Sequence, residues 1–182
     1  MPDGSVWHHI FLDRYPDPLG FGLSSSRFSD PRKNPPRRFG VYYVGQSFEV
    51  ALLETIVRDR RNGTSGALVL SADDLDAYVH VHVTMRQPLN LVDLRRGNAI
   101  AMGVATDAIR ARSHRLGQRT SLAAYHRPDE PDGIWYPSRF NGEENLAVFD
   151  RAVHKLAAGP RRKLGVCVEL APLLEFYRVA LV

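Results

Sequence analysis

The chain has 182 residues, of which 44% are hydrophobic and 24% are charged, a composition typical of a globular protein with a sizeable core. No apolar run approaches the length of a membrane span, and the N-terminus MPDGSVWHH lacks the pattern of a signal peptide, so we expect a cytoplasmic protein without a membrane partner. The formal net charge of +4 is compatible with nucleic acid, a phosphate-bearing ligand or an acidic protein partner.

The first predicted strand covers Trp7 to Leu12 and precedes a loop rich in proline and glycine. It contains His8 and His9, but adjacent strand residues face opposite sides of a sheet. No histidine or cysteine follows at the spacing of a metal-binding motif, so we expect no metal site.

The stretch from Ser24 to Arg60 predicts a basic loop, a strand and a helix. Its strand, Phe39 to Val44, is rich in aromatic and β-branched residues. Ser47 lies where a helix N-cap belongs, because its hydroxyl can accept a hydrogen bond from the first helical turn. The helix that follows is apolar nearly all round, which is typical of a buried helix.

Glu54 interrupts one apolar side of this helix, between Val50 and Val57. A carboxylate there is either desolvated or lines a cleft, and both environments perturb its pKa and make it a candidate for chemistry. Alternatively, Glu54 pairs with Arg58, four residues on, along a hydrated strip of the helix.

Basic residues are concentrated in two segments. They form a solvated basic surface, or they bind a phosphorylated ligand together with the aromatic residues that flank the first segment. The basic residues are Arg27, Arg32, Lys33, Arg37 and Arg38, then Arg110, Arg112, Arg115 and Arg119, and the flanking aromatics are Phe28, Phe39, Tyr42 and Tyr43.

A second clear strand, Tyr78 to Met85, alternates valines with polar residues. His80 and His82 share its polar face, and we expect them to be solvated. Apolar periodicity then predicts one helix over Asn98 to Arg112, followed by a polar stretch to Arg119.

The last third of the chain contains the strand-like IWYP followed by Ser138 and Arg139, then the apolar segment LAVF and one or two closing strands. The single cysteine, Cys167, is expected in a strand of the core. Strands outnumber helices and the helices are irregularly interspersed, which favours a single α+β domain over residues 1–182 with a mixed or antiparallel sheet and flanking helices.

Several of these motifs occur together in one known family. The RF of SSSRFSDP, the strand FGVYYVG, the helix ending in ALLET and the late GIWYPSR followed by NLAVF resemble the RES domain, the toxin half of bacterial RES–Xre toxin–antitoxin pairs. The resemblance covers Trp7 to Phe149. It implies an ADP-ribosyltransferase-like fold, NAD as substrate, an Xre-like antitoxin partner, and toxicity through NAD depletion or modification of a target protein.

The family pattern is an Arg in a basic loop, a Tyr in the next strand, a Glu in the following helix and a late Ser. In this chain it falls on Arg27, Tyr43, Glu54 and Ser138, which the resemblance implies are catalytic. Tyr43 is preferred to its neighbour because eleven positions separate it from Glu54. Many members carry a further Arg in the first strand, where this chain has His9, and Arg14 is the other candidate for that role.

Breaking the nicotinamide–ribose bond develops positive charge on the ribose, which the Glu54 carboxylate would stabilise. Arg27 would bind the pyrophosphate through paired hydrogen bonds. Tyr43 would stack on nicotinamide or hydrogen-bond it, and Ser138 would contact the ribose or orient Glu54. Arg139 is either a phosphate contact or a surface charge. No Gly-x-Gly-x-x-Gly fingerprint occurs, which argues against Rossmann-type NAD binding.

The ADP-ribose acceptor stays open between water, phosphate and a protein side chain. The alternative function is a basic RNA-binding module or ribonuclease toxin without NAD chemistry, although we do not expect direct nucleic-acid binding for an NAD enzyme. A third reading is a degenerate family member that only binds its antitoxin.

Overall fold

The computed structural model describes residues 1–61, 66 and 68–182, without the side chains of residues 59 and 61. The strands are β1 Val6–Leu12, β2 Val41–Gly45, β3 Leu68–Leu70, β4 Tyr78–Met85, β5 Leu91–Asp93, β6 Gly133–Pro137, β7 Glu144–Phe149, β8 Leu156–Ala158, β9 Arg162–Lys163 and β10 Val179–Leu181. The helices are α1 Phe48–Leu52, α2 Arg58–Arg61, α3 Ala72–Asp76, α4 Asn98–Ala101, α5 Asp107–Arg110, α6 Arg115–Tyr125 and α7 Leu170–Phe176, with a π-helical segment Leu53–Val57 and 3₁₀ turns at Pro35–Arg37, Asp150–Lys155 and Leu164–Val166.

A mixed eight-stranded sheet in the order β5-β6-β7-β2-β1-β4-β8, with β9 also paired to β4, forms the centre of the molecule. Every pairing in it is antiparallel except that of β5 with β6. A second sheet pairs β10 with β3 in parallel. The predicted α+β domain with a mixed sheet and flanking helices is confirmed. No helix among the described residues is long and apolar enough to span a membrane.

Alternation along the strands divides the core between the two faces of the sheet. One face carries a cluster that includes Val81 of β4 and Tyr42 of β2. The other face carries two separate clusters. One packs α1 and α7 against β1, and the other packs α4, α5 and α6 against β6 and β7. A gap between these two helical groups therefore opens over the middle of the sheet.

The sheet is weakest where β1 meets β2. β1 pairs with β4 along all seven of its residues, and β2 pairs with β7 along all five of its own. Between β1 and β2, by contrast, one register pair is formed, His8 with Gly45. The two strands diverge beyond that pair, and their separation shapes the cleft described below.

The predicted helix over Asn98 to Arg112 is wrong in extent. The chain forms α4 and α5 instead, and Gly103 between them has a φ of +68°, in the left-handed region that ends a helix. The next helix, α6, begins at Arg115, inside the stretch for which the sequence indicated only polarity. Its buried face includes Gly117 and Ser121, small residues that apolar periodicity does not detect.

The closing strand expected at the C-terminus is present as β10, and the helix α7, which was not predicted, precedes it. Cys167 is buried as expected, although it follows a 3₁₀ turn rather than lying in a strand. The solvated environment expected for His80 is also wrong, since its side chain is fully buried.

Gly45 is the residue at which α1 approaches the sheet most closely. A Cβ added there would lie 2.5 Å from Val50 Cγ1 and 2.9 Å from the backbone nitrogen of Ala51. We expect Gly45→Ala to lower the free energy of unfolding by about 1–3 kcal/mol, because the helix start must shift. Urea denaturation measures this. Gly97→Ala is the control, because no atom lies within 4 Å of its added Cβ, and equal losses in both variants would contradict the close approach.

Candidate active site

A cleft of about 470 Å³ lies where β1 and β2 diverge. It is bordered by His8 to Leu12 of β1, by the end of β2, by one side of the helix that contains Glu54, and by the loop that carries Arg27. This volume falls within the range of small-molecule sites. Of the predicted site residues, Arg27, Tyr43, Glu54 and Arg139 border this one cleft.

Glu54 borders this cleft. Ser47 caps the helix as predicted, since its side chain accepts a hydrogen bond from Val50 N. The helix then widens into the π-helical segment, where Arg58 N–H donates to Leu53 O, five residues back. Such π-helical insertions are frequent at functional sites. Glu54 shares the cleft-facing side with Thr55.

Two side chains from the β6–β7 hairpin hold the Glu54 carboxylate. Ser138 Oγ donates to Oε1 at 2.8 Å, and Asn145 Nδ2 donates to the same oxygen at 3.3 Å. Burial raises the pKa of Glu54, and the Ser138 hydrogen bond and the charge of Arg27 oppose that rise. Of the alternatives left open by the sequence, the desolvated cleft position is therefore the one observed, and the charge of Arg58 is among those that oppose the rise in the pKa of Glu54.

Arg27 extends from the basic loop into the same cleft. Its Nη1 donates to the carbonyl oxygen of Ala111 at 2.9 Å, just beyond α5. Burial lowers the pKa of Arg27, and Tyr136 and Glu54 oppose the effect. Among the described residues, its Nε and Nη2 have no hydrogen-bond partner, so this edge of the guanidinium is available to a ligand.

Tyr43 supports the loop that carries Arg27. Its hydroxyl accepts a hydrogen bond from Phe28 N at 2.9 Å and shares another with Ser26 Oγ at 2.8 Å. Burial raises the pKa of Tyr43 to about 12, so the phenol stays protonated near neutral pH. The ring borders the cleft while its hydroxyl is engaged by the loop.

All five predicted site residues lie close together in the structure: Arg27, Tyr43, Glu54, Ser138 and Arg139. Ser138 and Arg139, although adjacent in sequence, occupy different positions relative to the cleft. Arg139 borders the cleft and its guanidinium carbon lies 4.7 Å from the centroid of the Phe140 ring. Ser138 is almost fully buried behind Glu54, to which it donates. This geometry fits an orienting role for Ser138 better than a direct ribose contact.

Sequence reasoning missed Tyr136 and Asn145, which are register partners on β6 and β7. Both border the cleft, and burial raises the pKa of Tyr136 well above its usual value. Recognising IWYP and NLAVF as one hairpin would have placed these residues beside Ser138.

His9 borders the cleft, whereas Arg14 is not part of its lining. The His9 ring packs on Tyr42 with the two centroids 4.7 Å apart, and burial lowers the pKa of His9 to about 4. A neutral imidazole therefore lies on the first strand, where the family pattern has a permanently charged Arg.

Comparisons with known proteins identify relatives of this chain. A family model described as RES domain matches residues 6–167. A protein of Sinorhizobium fredii (strain NBRC 101917 / NGR234), named probable toxin y4kH, is 39% identical over 129 residues, which is 69% of this chain and 100% of that protein. A chain in the crystal structure of the M. tuberculosis MbcT–MbcA toxin–antitoxin complex superposes with a TM-score of 0.69 at 17% identity, covering 96% of this chain and 89% of that chain, so the fold is shared. The extent of the family match and the identity to y4kH together show that this chain belongs to the RES domain family.

Proposed function

We propose that this chain is the toxin of a toxin–antitoxin pair and that it cleaves the nicotinamide–ribose bond of NAD. The observation that carries the chemical part is the buried Glu54 carboxylate, which is fixed by Ser138 in a cleft that also contains Arg27. The toxin part rests on the family, on the name of the S. fredii relative and on the fold shared with a toxin–antitoxin complex.

The carboxylate suits a reaction that develops positive charge. Loss of nicotinamide leaves the ribose with oxocarbenium character, as in glycoside hydrolysis. Ser138 and Asn145 both hold Oε1 of Glu54, and among the described residues Oε2 accepts no hydrogen bond. Oε2 is therefore the oxygen that would face the ribose. Because the carboxylate is desolvated and already oriented, it stabilises that charge without reorganising solvent.

The available edge of Arg27 supports a phosphate-bearing substrate. A guanidinium anchored through one nitrogen presents its remaining N–H groups in a fixed plane, which matches the oxygens of a pyrophosphate. Arg139 adds a second positive charge at the cleft. Tyr43 would act mainly by positioning the Arg27 loop, while its ring offers a surface for nicotinamide.

ADP-ribose can pass to water, to inorganic phosphate or to a protein side chain, and the cleft is open enough for each. The product identifies the acceptor: ADP-ribose, a ribose-phosphate product, or a modified protein. NAD would be a substrate in every case, so no resident cofactor is required. The alternative, an RNA-binding or ribonuclease toxin, would use exposed arginines such as Arg112 and Arg119, rather than Arg27, which is half-buried in the cleft.

Glu54→Gln is the decisive variant. The amide oxygen of Gln still accepts from Ser138 and Asn145, so the variant should fold while losing the negative charge. We expect NAD consumption by the purified protein to fall by about 10²–10³-fold, the size of effect known for single electrostatic stabilisers. Turnover is measured with and without phosphate and with candidate protein acceptors.

Glu175→Gln is the matched control for Glu54→Gln, because it makes the same charge change at an exposed position. It should leave turnover unchanged. If wild-type protein leaves NAD intact under every condition, NAD chemistry is wrong, and salt-dependent RNA binding becomes the function to measure.

Ser138→Ala tests how the carboxylate is held. The Ser138 hydrogen bond favours the charged form of Glu54, so its loss raises the pKa of Glu54 further. The acid limb of the pH–rate profile should therefore move to higher pH, and turnover at neutral pH should fall by about tenfold, the value of one hydrogen bond to a charged group. Asn145→Ala should move the limb the same way by less, because its bond to Oε1 is longer. An unmoved acid limb in Ser138→Ala would show that Glu54 does not control it.

We also propose that an Xre-like antitoxin binds this chain and covers the cleft containing Arg27 and Glu54. The solved chain with the similar fold was crystallised in a toxin–antitoxin complex, the MbcT–MbcA complex. Co-expression with an Xre-like antitoxin should yield a complex that consumes no NAD. In hydrogen exchange, the loop around Arg27 should be protected in the complex, and unchanged exchange there would show that the antitoxin acts elsewhere.

A further inference from the structure

Three histidines from two strands meet on one face of the sheet, beside the point where β1 leaves β2. His8 of β1 lies directly opposite His82 of β4, and His80 is two residues along β4 on the same face. One ring nitrogen of each lies within 4.8 Å of the others. The sequence pattern did not indicate this cluster, because His8 lies 72 positions before its nearest partner.

The cluster is enclosed by protein. His80 is fully buried, and the Phe48 ring packs against it with the two centroids 5.1 Å apart. His8 and His82 are half-buried, and His8 also borders the cleft. Burial lowers the pKa of His8 to about 4 and of His80 to about 3, so both are neutral at physiological pH. Neutral imidazole is the form that binds metal ions.

A half-buried carboxylate, with one oxygen fully buried, lies within electrostatic range of these imidazoles. The charge of Glu169, at the start of α7, favours the protonated form of His8, which places it within electrostatic range. Glu169 Oε2 is buried and has no hydrogen-bond partner among the described residues. An unsatisfied buried carboxylate oxygen costs free energy unless a cation or donor compensates it.

We propose that His8, His80 and His82 bind a divalent transition-metal ion, for which Zn²⁺ is the best fit, with Glu169 as a compensating negative charge. Three imidazoles within this span match a three-histidine tetrahedral site, whose fourth position is left for water or a carboxylate. An all-nitrogen set of this kind disfavours Mg²⁺ and Ca²⁺, which prefer oxygen ligands.

Arg162 of β9 competes with the metal in the structure as it stands. Its Nη2 lies 3.1 Å from His80 Nδ1, and because arginine only donates, Nδ1 must accept. The proton of His80 is then on Nε2, which lies 3.0 Å from His8 Nδ1. Metal binding at Nε2 requires that this proton move to Nδ1 and that Arg162 turn away. The side chain of Arg162 is only half-buried, so it has room to do so.

A metal here would act on stability rather than on the proposed chemistry. It would join β1 to β4 across the fully paired edge of β1, which lies opposite the edge where β1 has a single register pair with β2. The proposal does not depend on NAD cleavage, and its test needs no enzyme assay.

The experiment uses the full chain with any polyhistidine tag removed, first stripped by a chelator and then titrated with Zn²⁺ against a chromophoric chelator. We expect one Zn²⁺ per chain. At free Zn²⁺ about 100-fold above the dissociation constant, Tm should rise by about 5–10 °C. Co²⁺ in place of Zn²⁺ should give the intense visible absorption of a tetrahedral site.

His82→Gln removes one ligand at a half-buried position and should weaken Zn²⁺ binding by at least about tenfold, within the range that loss of a metal-site group produces. His154→Gln, at an exposed position, is the control and should bind as the wild type does. Arg162→Gln should bind Zn²⁺ more tightly, because the competing donor is gone. Unchanged binding in His82→Gln would overturn the proposal. If that variant does not fold, the wild-type Co²⁺ spectrum decides, and the absence of tetrahedral bands overturns it.

Discussion

Burying the Glu54 carboxylate is the constraint on which the arrangement of this site depends. A desolvated carboxylate is tolerated in a protein only where donors and positive charges compensate it. Here the donors come from the β6–β7 hairpin, through Ser138 and Asn145, and a compensating positive charge comes from the loop at Arg27. The helix that contains Glu54, the β6–β7 hairpin and the Arg27 loop, which are far apart in sequence, therefore meet at the Glu54 carboxylate. The cleft lies where these three segments converge.

The sheet provides the space for this convergence. β1 is held by β4 and β2 by β7, so the two strands can diverge without leaving either one unpaired along its length. The helical groups pack on the same face on either side of the gap, one beside β1 and the other beside β6 and β7. The same divergence leaves His8 next to both the cleft and the histidines of β4. The candidate active site and the proposed metal site thus share a strand, but they have different ligand chemistry.

The Arg27 loop owes its position to close packing. α6 approaches it at Gly117, where an added Cβ would lie 2.5 Å from the carbonyl oxygen of Arg27. Ser121, one turn later, donates to Phe28 O at 2.6 Å, and Tyr43 Oη accepts from Phe28 N. Both backbone polar groups of Phe28 are therefore satisfied by side chains of other elements. The loop has no regular secondary structure, but its backbone groups at Phe28 are hydrogen-bonded as they would be in a helix or strand.

The sequence by itself determined β1, β2, β4, β6 and β7, the cap at Ser47, the α+β class and the identity of the candidate residues. These depend on short-range signals: strand alternation, a capping hydroxyl and motifs in a fixed order. It did not determine the ends of α4, α5 and α6, because a glycine with positive φ and small buried residues escape apolar periodicity. Nor did it predict that Tyr136 and Asn145 join the site or that His80 is buried.

Those features were decided only by the tertiary structure, since each depends on which strands pair, in what register, and which helix covers which face. The pairing of His8 with His82 is the clearest case. His8 in β1 and the His80–His82 pair in β4 give no metal-binding signal in the sequence. They form a cluster of three ligand nitrogens only because β1 and β4 align antiparallel. Likewise, the sequence alone is compatible with a solvated Glu54. Its burial depends on the packing of the β6–β7 hairpin against the helix. Local sequence specifies the elements, whereas the burial and partners of a polar side chain are set by long-range contacts that local patterns do not encode.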